Sequence, residues 1–463
     1  MTGLLRIIAG VIGGVVIAGA AAGFAVTWRP AIPAIEPPAP PSFDTTLVRR
    51  GRDLAALGNC NDCHTVRGGK TFAGGLAVPT PFGTIYSSNI TADADTGIGR
   101  WSEMAFRRAM RSGVNRDGQH LYPTFPYDHF TNVSDTDDTA LYAYLMTRQP
   151  VHAPARDNQL VFPLDQRFVV AGWKLLFLHR GAYQPDSTRS AEWNRGAYLV
   201  EGLAHCGACH TPRNILGAER ASARFAGGEA DNWQAYAINS RSPSPVPWNT
   251  EALFSYLRRG WHPDHGVARG PMAEVVSNLS AVDASDVHAI ATSMAGVFGT
   301  PTPDQLRRGN EVLARARSMA ASAASVVAAT PASQTPAAGA SIYAAACATC
   351  HETVRPLPYG GVNLELSTAI SSPDPHNATN IVLSGVRPVA GERSPIMPGF
   401  ADNMSNAQIV ALLGYLRTRF SNQAAWGGLE RTVEDARRTQ TAFLRTSPGP
   451  HNAPADPTQR DMQ

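Results

Sequence analysis

Cysteine is scarce in these 463 residues: there are six, and all six fall in three copies of one pentapeptide, Cys60-Asn-Asp-Cys63-His64, Cys206-Gly-Ala-Cys209-His210 and Cys347-Ala-Thr-Cys350-His351. No thiol is left over for a structural disulfide or for a four-cysteine iron–sulfur cluster. Charge is thin as well. Asp, Glu, Lys and Arg make up 17% of the chain against a usual ~25%, and the formal net charge is only +3. That balance excludes a nucleic-acid partner and strong electrostatic steering as organising ideas. Length is not lacking. Single hydrophobic cores stop growing near ~250–300 residues, so two to four domains are expected, with three the central expectation.

The first 28 residues hold a long run without charge. After Arg6, positions 7 to 28 (IIAGVIGGVVIAGAAAGFAVTW) contain no charged side chain for 22 residues, a length that spans a bilayer as one helix. Residues 1–28 therefore read as a transmembrane anchor. The alternative is a secretory signal cleaved near Ala18-Gly19-Ala20, although signal cores are usually shorter. With Arg6 on the cytoplasmic side, the body of the protein lies on the periplasmic face of the inner membrane. Residues 29–42 (RPAIPAIEPPAPPS) form a proline-rich spacer. Residues 318–340, rich in Ala, Ser, Thr and Pro, read as a second linker, and 424–463 as a polar tail, disordered or laid on another subunit.

Aligning the cysteines exposes an internal repeat, since the three motifs stand 146 and 141 residues apart. Each follows a helical lead-in (RGRDLAALGNC, RGAYLVEGLAHC, GASIYAAACATC). Each repeat closes on an amphipathic helix, carried by Leu141, Tyr144 and Leu145, by Val287, Ile290 and Met294, and by Ile409, Leu412, Leu413 and Leu416. Ser134, Ser280 and Ser405 are the expected N-caps. The expected fold is mainly α: three tandem domains over 43–150, 191–317 and 341–423. A connecting segment, 151–190, carries a short helix over the apolar run Phe168 to Leu178, packed against the domains.

Two cysteines three apart can hold zinc, run a disulfide or tether haem. A structural zinc site draws four ligands from one small module, and here each pair is ~140 residues from the next. A redox dithiol has no need of a histidine behind the second cysteine three times over. Covalent haem does need it: the two thiols add to the vinyl groups and the histidine becomes the proximal iron ligand. The expectation is three haem c groups, tethered by Cys60, Cys63, Cys206, Cys209, Cys347 and Cys350 and ligated by His64, His210 and His351. Met272 (in RGPMAEV) and Met397 (in SPIMPGF) lie in proline-containing loops ahead of the closing helices and are the expected sixth ligands, raising the potential. The first repeat breaks the pattern by placing Phe125 at the matching position. His120 and Met110 are nearby, but His129, the nearest ligand type downstream, is chosen, with a five-coordinate iron as the alternative.

The stretches GGKTFAGGLAVPTPFGTIYSSNITADADTGIGRWS, RDGQHLYPTFPYDHFT, ALYAYLM, RGAYLVEGLAHCGACHTPRN, RGPMAEV and MPGF resemble the membrane-bound tri-haem cytochrome c subunits of bacterial periplasmic dehydrogenases. The resemblance covers about residues 45 to 420. It implies electron transfer from a catalytic dehydrogenase subunit to membrane ubiquinone or a terminal oxidase, with substrate chemistry in the partner, and it matches Met272 and Met397 to the family's methionine ligands. Members serve quinoprotein alcohol dehydrogenases, flavin-dependent sugar dehydrogenases and molybdenum hydroxylases. The segment YPTFPYDHF is more similar to the last group, implying a molybdenum-cofactor subunit with an iron–sulfur subunit as partners. A stand-alone periplasmic electron carrier is the rival expectation.

Overall fold

The computed structural model describes residues 27–38, 42–325, 338–352, 360–387 and 394–446, with Gly3, Gly23 and Leu357 besides. The expected membrane anchor lies almost wholly outside the described residues, as does most of the second linker; among the described residues no helix is long and apolar enough to cross a membrane. The chain is mostly helical and divides into two compact units. One comprises 1–184 with 201–205 and holds the first CxxCH; the other comprises 185–200 with 206–463 and holds the second and third.

In the first unit, α1 (Thr45–Leu57) starts where Asp44 accepts the amides of Thr46 and Leu47, and it buries Leu54, Ala55 and Leu57. Helix α2 (Glu103–Ser112) is capped by Ser102 and ends on Gly113 at φ 58°, a left-handed position that costs glycine nothing. The closing helix α3 (Asp135–Met146) is capped by Ser134, as the serine placement predicts. Two short strands, β1 (Ala77–Thr80) and β2 (Gly83–Tyr86), pair antiparallel, and β3 (Gln159–Leu160) adds to β2. Helix α4 (Arg167–Phe177) lies within 151–190 and buries Val170, Ala171 and Lys174 while leaving Phe168, Leu175 and Leu176 exposed.

The second unit repeats this order. Helix α5 (Ala191–Glu201) leads to Cys206, and β4 (Gly228–Ala230) pairs with β5 (Trp233–Ala235). Helix α6 (Thr250–Arg259) ends on Gly260 at φ 77°, followed by the small hairpin β6 (Trp261–His262) and β7 (Gly266–Val267). Helices α7 (Pro271–Ala281) and α8 (Ala284–Phe298) follow. Here the expected cap is corrected: Ser280 sits inside α7, and Asp283 caps the closing helix by accepting from Ser285. Helix α9 (Pro303–Ser325) runs past 318, so 318–325, the first part of the expected second linker, is helical.

The third repeat holds α10 (Ala338–Ala346), α11 (His376–Ser384), α12 (Asn406–Phe420) and α13 (Leu429–Thr446). Ser405 and Gln408 cap α12 reciprocally, satisfying two otherwise orphaned amides. The polar tail is likewise corrected. Residues 429–446 are helical, and Trp426, Leu429, Val433 and Ala436 are buried against Leu383, Leu413 and their neighbours in the third repeat's own core. The i, i+4, i+7 spacing of Leu429, Val433 and Ala436 makes that apolar stripe.

One crossing recurs three times. A Cβ placed on Gly51 would stand 1.9 Å from the Ala140 carbonyl oxygen, on Gly196 1.8 Å from that of Ala289, and on Gly339 2.1 Å from that of Ala411. The lead-in helix and the closing helix of each repeat therefore touch backbone to backbone, which only glycine permits. Beside two of these glycines an arginine grips the first turn of the closing helix: Arg50 Nε donates to Asp137 (2.8 Å) and Arg195 Nε to Asp286 (2.7 Å). The crossing holds the end of the lead-in helix, and with it each CxxCH, at a set place in its repeat.

Candidate functional site

Each CxxCH folds as one tight helical turn directly after its lead-in helix, as in Cys60–His64. At a spacing of three the two thiols share a face, with the histidine turned to the neighbouring one. The three histidines make one and the same hydrogen bond. His64 Nδ1 lies 2.6 Å from the Ser88 carbonyl oxygen, His210 Nδ1 2.7 Å from that of Tyr236, and His351 Nδ1 2.8 Å from that of Val362. A carbonyl oxygen only accepts, so Nδ1 carries the proton and the lone pair stands on Nε2. Metal-bound histidines are oriented in this way, with the outer nitrogen donating to a fixed acceptor. Burial lowers the pKa of all three rings, keeping them neutral, the form that ligates.

The loop that supplies the acceptor repeats in the first two sites. The hydroxyls of Thr65 and Thr211 accept the amides of Phe72 and Phe225, both at 3.1 Å, and Gly74 and Gly227 donate to the carbonyls of His64 and His210. In the third site Gly361 donates to the Cys350 carbonyl, and a Cβ there would lie 2.7 Å from His351 Nδ1. Glycine at 361 leaves room for the ring.

The cysteines do not behave as a redox pair. Burial, reinforced by the neighbouring cysteine, pushes Cys60 and Cys206 up to about 12 and Cys347 to about 11, and burial raises Cys209 as well. A catalytic dithiol needs the opposite shift. Nor is there a zinc cage: among the described residues no group of three or more metal-ligand side chains includes a cysteine.

On the far side of each repeat the backbone shows which residues are equivalent. Leu121 donates to the Gly113 carbonyl and Ala268 to that of Gly260, both at 2.7 Å. Four residues further on stand Phe125 and Met272, so the first repeat places phenylalanine where the second places methionine. Met272 is not in a loop, as expected, but in the first turn of α7 behind Pro271, whose fixed φ starts the helix. Met397 exchanges both backbone hydrogen bonds with Val386, at 2.8 and 2.9 Å, just after Gly385 closes α11 at φ 71°. In the first repeat His120 is already engaged, Nε2 by the Thr27 carbonyl at 2.8 Å and Nδ1 beside Lys174 Nζ at 3.1 Å. His129 is buried in the single turn Tyr127–Phe130, its Nδ1 2.9 Å from the Glu201 carbonyl oxygen. That is the same bond the three motif histidines make.

In the second repeat the buried donors Trp261 Nε1, at the hairpin after α6, and Arg269 Nε, three residues before Met272, have no protein partner among the described residues. Orphaned buried donors are rare and call for an acceptor. A bound group with carboxylates meets that need, and haem carries two. The Ser88, Tyr236 and Val362 carbonyls were not foreseeable as site residues, because main-chain acceptors leave no mark on side-chain sequence.

Residues 334–416 match the family model described as cytochrome C oxidase, cbb3-type, subunit III. Over 94% of its length the chain is 44% identical to a nicotinate dehydrogenase subunit of Pseudomonas putida, of which it spans only about a third (35%). It is 35% identical to the fructose dehydrogenase cytochrome subunit of Gluconobacter japonicus, over 84% of this chain and 82% of that one. It is also 35% identical to the gluconate 2-dehydrogenase cytochrome c subunit of Pantoea cypripedii, over 85% of this chain and 90% of that one.

Proposed function

The chain belongs to the cytochrome c subunits of dehydrogenases, and from that premise we propose that it carries electrons through three covalently bound haem c groups, one at each CxxCH. The bound iron supplies one-electron chemistry by cycling between its ferric and ferrous states. Everything else is the work of this chain's residues. Cys60 with Cys63, Cys206 with Cys209, and Cys347 with Cys350 hold the macrocycles. His64, His210 and His351 present Nε2 to the metal, each fixed by its Nδ1–H bond to a main-chain oxygen. Met272 and Met397 offer thioethers, which raise the potential, and His129 offers imidazole to the first site, which lowers it. Trp261 Nε1 and Arg269 Nε would donate to the carboxylates of the second group.

The observation that carries this reading is the thrice-repeated Nδ1–H···O=C bond at 2.6–2.8 Å behind a half-buried, neutral histidine. A thiol module would not need it, and a zinc site, which would, lacks its further ligands among the described residues.

The electrons come from a separate catalytic subunit and leave toward ubiquinone or a terminal oxidase at the inner membrane, with residues 1–28 as the anchor and the haem domains in the periplasm. For the donor, a sugar- or alcohol-oxidising dehydrogenase has the better support, because the fructose and gluconate dehydrogenase cytochrome subunits match this chain over most of both lengths. A molybdenum hydroxylase with an iron–sulfur subunit is the second reading, favoured by the 44% identity to the nicotinate dehydrogenase protein. Purifying the chain with its native partners, assaying the complex for flavin, pyrroloquinoline quinone and molybdenum, and following cytochrome reduction on adding substrate tests both. Reduction by a sugar or alcohol in a complex lacking molybdenum supports the first reading. A haem-bearing chain that co-purifies with no dehydrogenase would replace both with the free carrier.

A further inference from the structure

The second and third repeats lie in one compact unit, and a small set of side chains joins them. Asn377, on the first turn of α11, uses its amide group as a strand would use its backbone. Its Oδ1 accepts the Gln234 amide at 2.9 Å, and its Nδ2 donates to the Gln234 carbonyl at 2.8 Å. One turn on, Asn380 Nδ2 donates to the Asn232 carbonyl at 2.9 Å. Both asparagines are buried, 6% and 8% exposed, so each bond made is one that water does not replace. Thr368 adds a third tie by donating to the His265 carbonyl at 3.0 Å.

What this seam connects gives it meaning. Gln234 is in β5, two residues before Tyr236, whose carbonyl holds His210 at 2.7 Å. At its other end α11 closes on Gly385, and the next residue, Val386, holds Met397 by two backbone bonds. The proximal histidine of the second site and the methionine of the third therefore hang from opposite ends of one hydrogen-bonded frame, with Asn377 at its middle.

We propose that Asn377 is the positioning residue that sets the second and third haem sites against each other for electron transfer. The proposal rests on the reading of three haem sites. Asn377 touches neither site's metal ligands; it acts through Gln234 and Tyr236 on one side and through α11 on the other. A seam held by paired, buried amide bonds has a single register. An apolar contact of the same area would slide, and small misplacements at an electron- or atom-transfer site cost large factors in rate.

The test uses the full-length protein with Asn377→Leu, which keeps the branched side-chain shape and removes every side-chain hydrogen bond, and Asn377→Asp, which keeps the acceptor for the Gln234 amide and removes the donor. Haem content, the midpoint potential of each haem, and electron re-equilibration among the haems after pulsed reduction are measured for each. The Leu variant is expected to keep its haem content and potentials while re-equilibration slows roughly tenfold or more, with the Asp variant between it and the wild type. A Leu variant that re-equilibrates at the wild-type rate overturns the proposal. So does one whose rate falls only along with lost haem or shifted potentials, because that residue would be folding or tuning a site rather than placing it. Should the wild-type chain itself hold fewer than three haems, the reading beneath the proposal fails instead, and the haem assay reports that separately.

Discussion

Gly51→Ala adds one methyl group at the closest helix crossing in the first unit. The new Cβ would stand 1.9 Å from the Ala140 carbonyl oxygen, 2.6 Å from its carbonyl carbon and 2.7 Å from Tyr144 Cβ. Cβ atoms essentially never approach within 3.0 Å, so α1 and α3 must part by about 1.1 Å, and the obstacle is helix backbone, which has no rotamer to change. Overpacking of this kind costs ~1–3 kcal/mol and occasionally more. Replacing a mid-helix glycine by alanine returns up to ~1 kcal/mol through helix propensity. With the Arg50–Asp137 contact at 2.8 Å pulled apart as well, the net effect should be ~2 kcal/mol of destabilisation. Gly172 in α4 is the control: it is also mid-helix, but nothing lies within 4 Å of its Cβ position. Gly172→Ala should stabilise by ~0.5–1 kcal/mol. Amide hydrogen exchange on the full chain reads both, since local opening is what it measures. In Gly51→Ala, exchange in 45–57 and 135–146 should quicken about thirtyfold, the equivalent of ~2 kcal/mol, while exchange in 167–177 slows in Gly172→Ala. Unchanged or slower exchange of α1 in Gly51→Ala would refute the backbone-to-backbone crossing.

Replacing Met397 by Leu should lower the third haem's potential, because a thioether favours the ferrous state and its loss removes that preference; an unchanged redox titration would remove Met397 from the ligand set. Low-temperature EPR and magnetic circular dichroism of His129→Ala should replace a bis-histidine signature by a high-spin one, and a high-spin signal in the wild type would rule out His129. Arg417 is buried, donating to the carbonyls of Ile370 (2.5 Å), Ser372 (2.9 Å) and Ala424 (2.8 Å). Ser372 keeps its bond from Trp426 Nε1, but Arg417→Met strands the Ile370 and Ala424 carbonyls at ~1–3 kcal/mol each where they stay buried, and proteolysis between α12 and α13 should begin at lower urea; a wild-type profile would contradict the account. His265 is buried against Trp248, which with the nearby His262 lowers its pKa to about 3, below the ordinary 6.5. Between those values the unfolded chain binds the extra proton, so stability is complete above pH ~6.5 and falls with decreasing pH by up to ~1.4 kcal/mol per unit. His265→Asn should flatten that part of the profile, and an unchanged acid slope would show that another group sets it.

The cysteine pattern, the repeat period and two of the three closing-helix caps were legible because each rests on side-chain identity at fixed spacing. The second cap was misread because Ser280 and Asp283 are both good capping residues three apart, and only the path of α7, started by Pro271, decides between them. Met272 moved from loop to helix for the same reason. The tail was misjudged because prolines beyond residue 446 dominate its composition, masking the stripe of Leu429, Val433 and Ala436 that docks α13. The Ser88, Tyr236 and Val362 acceptors are main-chain atoms, invisible to any motif. Gly51, Gly196 and Gly339 stand at or near the start of the lead-in stretches, yet their role appears only when the closing helix is seen lying on them.

The most direct test is a pyridine haemochrome assay on mature protein, with chain concentration fixed by amino-acid analysis. Six cysteines in three tight turns, each backed by a histidine locked onto a main-chain oxygen, predict three haem c per polypeptide. Two or fewer would contradict it.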